Sequence, residues 1–450
     1  MGEDSSARSA AHNAATERAR VPGTPASPVA DPSRQTEESS FAAAQDRSAT
    51  YREVFGVREF RYLFSAYLLS LVGDQLAKVA LSIVVFERTG SALLSAVTFA
   101  VSYLPWLIGG PLLSVYADRY PRQKVMIGCD LIRMVLVGSL ALPGIPLWSL
   151  VALLFISNLF TPPFEAARAA TTPEVLSGDK YAVGLALSSI SAQLAQVVGF
   201  VAGGALVVLL SARGSLLIDA ATFAVSAILL RVGVRPRPSS APDEPATLWA
   251  DAKEGLQVVF GIPRVRWFVL MLFVSSAFAY APEGLAAPYA AELEEGPAAV
   301  GLLLAASPLG LVIGGVVVGR LLRPSQREAM LVPLAVLSVL VLIPAAALPW
   351  LPGVLLLFVV SGFGVSFLIP LNVMVVRAIP ASARGRAFGV VATGLQAVQG
   401  VAIVFAGLIA DFLSPSIVVT LCGMVGTAAV LWFGWRGNKA PVPMPADQGR

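Results

Sequence analysis

Twelve long apolar stretches follow one another along this chain, and no other feature constrains its fold as strongly. They lie approximately at 61–86, 92–116, 125–142, 147–167, 183–210, 215–233, 266–290, 298–320, 329–348, 352–376, 385–410 and 415–435. About 20 apolar helical residues are enough to cross the hydrocarbon core of a bilayer, and a bilayer offers backbone groups no partner outside the helix. The chain is also 56% hydrophobic and only 13% charged, which is too apolar for a soluble domain. The stretches are too long and too uniformly apolar for barrel strands, so we predict an all-α membrane protein with twelve transmembrane helices.

The chain also resembles itself at an offset of 205 residues. The matched pairs include Ser102 with Ser307, Leu104 with Leu309, Ile108 with Ile313, Gly109 with Gly314, Arg122 with Arg327, and Lys78 with Glu283. A membrane protein built from two similar halves usually has its functional site where the halves meet. The predicted organisation is a disordered tail (1–50), a six-helix bundle (51–233), a linker (234–265), a second six-helix bundle (266–436) and a short tail (437–450).

The distribution of lysine and arginine predicts the orientation in the membrane. With the N-terminus inside, the inner loops and the C-terminal tail hold 20 of these residues, whereas the outer loops hold two, Arg88 and Arg213. Cytoplasmic loops of membrane proteins carry such an excess. We therefore expect a multi-pass protein of the cell membrane with both termini in the cytoplasm.

Several kinds of site are disfavoured by composition. The one histidine, His12, lies in the N-terminal tail, and the two cysteines, Cys129 and Cys422, lie within predicted spans as packing residues. No metal site and no cofactor is predicted. The net charge of +4 follows a membrane pattern and does not indicate nucleic-acid binding. No phosphate-binding Walker A pattern is found, so ATP is not expected to be the direct energy source.

One cytoplasmic motif connects the sequence to a known family. The segment "SVYADRYPRQK" (114–124) joins the second and third spans, and "GRLLRPSQR" (319–327) is its counterpart in the second half. With twelve spans and the repeat, residues 52–436 resemble the major facilitator superfamily. Within that superfamily the chain looks like the efflux branch, which contains macrolide exporters, the enterobactin exporter and related drug:proton antiporters. The chain departs from that pattern at Pro121 and Gln123, and at Phe200, where antiporter relatives often have proline after glycine.

Charged side chains inside the membrane point to a site in the centre of the protein. Asp74 and Lys78 share one face of the first span, about 20 and 25 Å from Arg61 at its inner end. Glu283 of the seventh span is the repeat mate of Lys78. The resemblance implies that these two spans face each other across a cavity, so we expect Asp74, Lys78 and Glu283 to form a charged cluster for proton coupling or substrate contact. A static ion pair that locks the helices is the alternative.

Other polar residues are assigned to the cavity or to a cytoplasmic gate. The expected cavity-lining residues are Asn158, Gln193, Gln196, Asn372, Gln396, Gln399 and Tyr280, with interhelical hydrogen bonding as the alternative. The gating motif is expected to comprise Asp118, Arg119, Arg122, Asp130, Arg133 and Arg168, whose charge-assisted hydrogen bonds would break on opening. Asp219 and Asp411 are interpreted as helix caps or interface residues.

These observations predict a secondary transporter that works by alternating access. The expected activity is export of a small amphipathic organic compound, such as a drug, an antibiotic or a siderophore-like metabolite, in exchange for protons. The expected partners are this small molecule, protons and the bilayer, and the protein is expected to be a monomer. A lysophospholipid flippase or a metabolite importer of the same fold is the alternative. A membrane enzyme or sensor is more remote, because no cluster of nucleophile, metal ligands or histidine is found.

Overall fold

The computed structural model describes residues 50–105, 120–237 and 248–441, and every regular element in these ranges is helical. The N-terminal half (50–237) comprises α1 (Tyr51–Gly56), α2 (Arg58–Thr89), α3 (Ala92–Ala100), α4 (Arg122–Leu140), α5 (Leu147–Leu159), α6 (Thr161–Val175) and α7 (Asp179–Gly233). The C-terminal half (248–441) comprises α8 (Leu248–Gly261), α9 (Pro263–Tyr280), α10 (Ala286–Glu292), α11 (Pro297–Val316), α12 (Pro324–Ala329), α13 (Leu331–Leu340), α14 (Leu351–Val365), α15 (Leu368–Ala378), α16 (Arg384–Ala410) and α17 (Pro415–Lys439). The predicted all-α membrane architecture is confirmed.

Within the described ranges, nine helical stretches are long and apolar enough to cross a membrane. One of them, α7, is interrupted at Ser211, where φ is 70° and ψ is 167°, so it contains the two spans expected on either side of that residue. Helix α4 is 19 residues long but carries Arg122, Lys124, Asp130 and Arg133. Helix α3 leads into residues outside the described ranges. The number twelve therefore stays a prediction.

The predicted seventh span, 266–290, is not one continuous α-helix. Helix α9 ends at Tyr280, a 3₁₀ segment follows from Ala281 to Leu285, and α10 continues from Ala286. Pro282 has no backbone N–H to donate, so the regular α-helical hydrogen bonding cannot continue through it. This break lies at the depth of Glu283 and sets the direction of that side chain.

The two ends of the helices define two faces of the molecule. We call the end with Arg58, Arg122 and Arg436 the basic face, and the end with Gly90 and Gly296 the opposite face. The predicted linker segment "LWADAKEGLQVVF" is helical, as α8, and lies at the basic face, where Glu254 forms a 2.9 Å ion pair with Arg386 of α16.

The two halves pack against each other towards the opposite face. Asp411, at the end of α16, accepts hydrogen bonds from the Ser91 hydroxyl (3.1 Å) and the Leu93 amide (3.1 Å) at the start of α3. Helices α7 and α11 approach at Gly204 and Gly301, where a Cβ added to Gly301 would lie 2.4 Å from the Phe200 carbonyl oxygen and 3.0 Å from the Gly204 Cα. Small residues permit such close packing between membrane helices. Asp411 thus has the interface role expected for it.

Candidate functional site

Glu283 lies where the two halves meet. Its side chain is 7% exposed, and Oε2 accepts a 3.0 Å hydrogen bond from the hydroxyl of Tyr103, which follows α3 in the other half. The adjoining Gly284 makes this contact possible, because a Cβ there would lie 2.4 Å from Ile403 Cγ2 and 3.2 Å from Ala96 Cβ. The 3₁₀ segment therefore brings a buried carboxylate to the boundary between α3 and α16.

Lys78 lies beside this carboxylate, on α2. Its Nζ is 5.9 Å from the ring centroids of both Phe99 and Tyr103. It is within electrostatic range of Asp74, Glu283 and Arg133. Among the described residues it has no hydrogen-bonding acceptor in this conformation. The ammonium therefore rests against two aromatic rings and remains available to a carboxylate or a ligand.

A small cavity lies on the other side of Glu283, inside the C-terminal half. It is lined by Glu283, Ser307, Phe358, Ser361 and a few apolar neighbours, and the centre of a water molecule has about 10 Å³ of space in it. That is about the minimum that one water molecule needs. The second oxygen of Glu283, Oε1, is buried and has no hydrogen-bond partner among the described residues. The carboxyl group thus contacts Tyr103 through one oxygen and leaves the other unsatisfied.

Asp74 pairs with a residue that the sequence had assigned elsewhere. Arg133 Nη2 contacts Asp74 Oδ1, and the Arg133 side chain is 2% exposed and lies over the ring of Phe223, 4.2 Å from its centroid. The expectation that Arg133 belongs to the cytoplasmic gate is therefore corrected. It lies about three turns into α4, where its side chain reaches Asp74 of α2 and Phe223 of α7 instead of the basic face.

Two more carboxyl groups are buried beside this pair. Asp130 is 0% exposed and accepts a 2.6 Å hydrogen bond from the Ser226 hydroxyl, so it too lies inside the bundle rather than at the gate. Asp219 is 1% exposed, and its Oδ1 accepts a 3.3 Å hydrogen bond from Thr222. Of the two roles expected for Asp219, helix cap or interface residue, the helix cap is therefore wrong. The break of α7 at Ser211 starts the second arm near the opposite face, and Asp219 is two turns further in.

An ion-pair network on the basic face joins four parts of the N-terminal half. Arg122 pairs with Glu174 and donates a 2.9 Å hydrogen bond to the Ala170 carbonyl. Arg237 forms hydrogen bonds of 2.5 and 2.9 Å with Glu59 and reaches Glu174 at 3.2 Å. The hydrogen bond to Glu59 raises the pKa of Arg237. Sequence reasoning found Arg122 but missed this network, because Arg122 and Glu174 are 52 residues apart in the chain and Glu59 and Arg237 are 178 residues apart. Asp118 and Arg119 lie outside the described residues.

The remaining predicted residues are distributed over several environments. Arg168 pairs with Glu165 at 2.7 Å and lies over the ring of Tyr67, so its contacts are local to the N-terminal half. Asn158 donates its amide to the Leu154 carbonyl of its own helix, at 2.8 Å. Asn372 is exposed. Gln193, Gln196, Gln396 and Tyr280 are half-buried and Gln399 is buried. Tyr280 is in electrostatic range of Glu283.

Three known proteins are similar to this chain in sequence. The uncharacterized MFS-type transporter YfiS of Bacillus subtilis (strain 168) is 25% identical over 385 residues, which cover 80% of this chain and 89% of that protein. The multidrug efflux pump Tap of Mycolicibacterium fortuitum is 26% identical over 384 residues, covering 81% and 93%. Macrolide efflux protein A of Streptococcus pyogenes is 29% identical over 119 residues, covering 26% of this chain and 29% of that protein.

A comparison with solved structures and a match to a family model lead to the same kind of protein as these relatives. The structure is similar to that of a POT family transporter in complex with a thioalcohol-conjugated peptide, with a TM-score of 0.68 at 13% identity, over 85% of this chain and 96% of that one. The family model of the Major Facilitator Superfamily matches residues 63–372 and 272–449. Because these matches cover most of the chain and the fold agrees, the chain belongs to the Major Facilitator Superfamily.

Proposed function

We propose that this protein is a secondary active transporter that exports a small amphipathic organic compound in exchange for protons. Its basic face is assigned to the cytoplasm, with both termini on that side. The working unit is a monomer of two six-helix bundles (51–233 and 266–436) joined by the linker 234–265. It is not an enzyme, and transport needs no cofactor.

The observation that carries this proposal is the surroundings of Glu283. A carboxylate that is 7% exposed has one oxygen bonded to Tyr103 of the other half and one oxygen without a partner among the described residues. Burying a charge is costly unless it is paired, whereas a protonated carboxyl group is neutral and can donate a hydrogen bond. The bond to Tyr103 crosses the interface that must open and close, so the state of this carboxyl group and the conformation of the protein depend on each other.

Lys78 supplies the second part of the coupling. When Glu283 is protonated, Lys78 is left against the rings of Phe99 and Tyr103. When Glu283 loses its proton, the ammonium attracts the carboxylate across the boundary between the halves. A substrate that binds beside Lys78 and Glu283 competes with one of these two arrangements of the ammonium. Proton binding and substrate binding then compete with each other, which is the requirement for antiport.

The contacts at the opposite face support alternating access. Asp411 holds the start of α3, and Gly204 and Gly301 bring α7 and α11 together, so the described inter-half contacts seal the side assigned to the exterior. In this proposal they separate when the basic face closes. Export as the direction and an amphipathic compound as the cargo are supported by the relatives, which include a multidrug efflux pump and a macrolide efflux protein.

The test is transport in inverted membrane vesicles, with a radiolabelled macrolide as the first probe and a screen of other antibiotics and dyes after it. Wild-type vesicles should accumulate a probe when a pH gradient is applied and lose it when a protonophore is added. Glu283→Gln should abolish this proton-driven accumulation. The matched control is Glu295→Gln, which removes an exposed carboxylate near the opposite face and should transport normally.

Two results would contradict parts of the proposal. If Glu283→Gln transports at the wild-type rate across a pH gradient, Glu283 is not the coupling site. If whole cells accumulate the probe because of the protein, it is an importer. A pH-independent movement of lysophospholipid between leaflets would favour the flippase alternative.

A further inference from the structure

Three carboxyl groups surround a single guanidinium inside the N-terminal half. Asp74 comes from α2, Asp130 and Arg133 from α4, and Asp219 from the second arm of α7. Arg133 is in electrostatic range of all three carboxyl groups, and only Asp74 is paired with it directly. Asp130, Arg133 and Asp219 are each at most 2% exposed. This group of four residues is called the Arg133 cluster below.

The formal charges of the Arg133 cluster do not balance. Three ionised carboxylates against one guanidinium leave two uncompensated negative charges. Lys78, one turn from Asp74, offsets one of them at most, and it is shared with Glu283. Removing a charge from water without a partner is strongly unfavourable, and a buried acid avoids this by holding its proton. At least one carboxyl group of the Arg133 cluster is therefore expected to be neutral in this conformation.

The contacts identify which carboxyl group this is. Asp74 has the guanidinium as its partner. Asp130 accepts a 2.6 Å hydrogen bond from Ser226, which stabilises a carboxylate. Asp130 and Asp219 each have one buried oxygen with no partner among the described residues, but the other oxygen of Asp219 accepts only a 3.3 Å hydrogen bond, from Thr222. Asp219 therefore has the weakest support for a negative charge.

Close packing keeps Asp219 next to the first membrane span. A Cβ added to Gly73 would lie 2.2 Å from Asp219 Oδ1 and 2.2 Å from Thr222 Oγ1, so only glycine lets this carboxyl group lie against α2 at the residue before Asp74. The charged groups in electrostatic range of Asp219 are Asp74 from α2 and Arg133 from α4. Lys78 from α2, and Asp130 and Cys129 from α4, are in electrostatic range of Arg133. Arg133 is the cation in range of Asp219, so it can replace the proton as a direct partner.

We propose that Asp219 is a second proton-binding site of the transporter, with Arg133 as the switch that loads and empties it. This inference rests on the proposed proton coupling but concerns a site other than Glu283. In the present arrangement Arg133 pairs with ionised Asp74, and Asp219 holds a proton. When Arg133 moves to Asp219, the Asp219 O–H bond breaks, the proton passes to the carboxylate of Asp74, and Asp219 becomes the ionised partner of Arg133. Asp74, whose side chain is 21% exposed, then gives the proton to water.

The experiment measures protonated carboxyl groups directly, without transport. Full-length protein in lipid nanodiscs is examined at neutral pH by infrared absorption of the carboxylic acid C=O stretch. The samples are wild type, Asp219→Asn, Glu283→Gln and the exposed control Glu295→Gln. Asp219→Asn should lose one buried carboxylic acid band. Glu295→Gln should keep the wild-type spectrum, because an exposed glutamate is ionised at this pH.

The outcomes separate this inference from the proposed function. If the Asp219→Asn spectrum retains every carboxylic acid band of the wild type, Asp219 is ionised and the inference is overturned. If Asp219→Asn does not fold, it is also overturned, because an amide of the same shape should replace a neutral acid without harm. Glu283→Gln should still show the Asp219 band, whatever its own transport activity. Failure of the Glu283 site would therefore leave the Asp219 result unchanged.

Discussion

The hydroxyl of Tyr103 donates a 3.0 Å hydrogen bond to Oε2 of Glu283, and this bond crosses from the N-terminal to the C-terminal half. Tyr103 is the hydrogen-bond partner of Glu283 Oε2, and the other oxygen, Oε1, is buried with no partner among the described residues. Lys78 lies against the same tyrosine ring. Tyr103 therefore contacts both charged residues of the proposed coupling site and connects their states.

Substituting Tyr103 tests that connection. Tyr103→Phe removes the donor and leaves both oxygens of Glu283 unsatisfied, which costs about 1–3 kcal/mol in the conformation seen here. We expect a lower melting temperature and a changed pH profile of transport, measured by thermal unfolding in detergent and by vesicle uptake at several pH values. The control is Tyr289→Phe, because Tyr289 is also a tyrosine of the protein interior, at 0% exposure, but donates only a 3.4 Å hydrogen bond to a backbone carbonyl. Equal effects of the two substitutions would show that the Tyr103–Glu283 bond has no special role.

The pair of Asp74 and Arg133 is expected to dominate the stability of the N-terminal half. Asp74→Asn leaves a guanidinium that is 2% exposed without its partner, and breaking a buried ion pair on one side costs about 3–5 kcal/mol. The double variant Asp74→Asn with Arg133→Met should recover part of that loss, because the unpaired guanidinium is removed while Asp130 keeps its hydrogen bond from Ser226. Both variants should fail in proton-driven transport. Thermal unfolding of the single and double variants measures the coupling.

A weaker pair provides the comparison for that experiment. Glu165 and Arg168 keep 24% and 16% of their side chains exposed. Arg168 would keep contact with water after losing its partner, whereas Arg133 at 2% exposure would not, so Glu165→Gln should destabilise the protein less than Asp74→Asn. If Glu165→Gln and Asp74→Asn lower the melting temperature equally, the burial of Arg133 does not increase the contribution of the Asp74–Arg133 pair to stability.

The approach of α7 to α11 offers a steric test of closure at the opposite face. Gly301→Ala would place a Cβ 2.4 Å from the Phe200 carbonyl oxygen, and overpacking of this kind costs about 1–3 kcal/mol. We expect a folded protein with strongly reduced transport, because the halves cannot come together there. Gly315→Ala is the control, since a Cβ at Gly315 would meet nothing within 4 Å. Normal transport by Gly301→Ala would mean that this contact is not part of the cycle.

The sequence by itself determined the class of the protein and its general plan. A bilayer imposes a local requirement, about 20 apolar residues with all backbone groups satisfied inside the helix, and such a requirement is readable without knowing the fold. The half-length repeat and the motif at 114–124 were also readable, and the family assignment they suggested is confirmed. The same reasoning indicated that Lys78 and Glu283 have similar depths, because depth follows from counting residues along a helix.

Only the tertiary structure decided which charged groups meet. Helical periodicity predicts the face that a residue occupies but not the helix that lies opposite, so Arg133 was assigned to the gate although it pairs with Asp74, 59 residues away. Asp219 was interpreted as a helix cap or an interface residue, and the structure buries it inside the bundle at 1% exposure. The bond between Tyr103 and Glu283 joins positions 180 residues apart. Contacts of this kind depend on how whole helices pack in three dimensions, and that information is not contained in any one span.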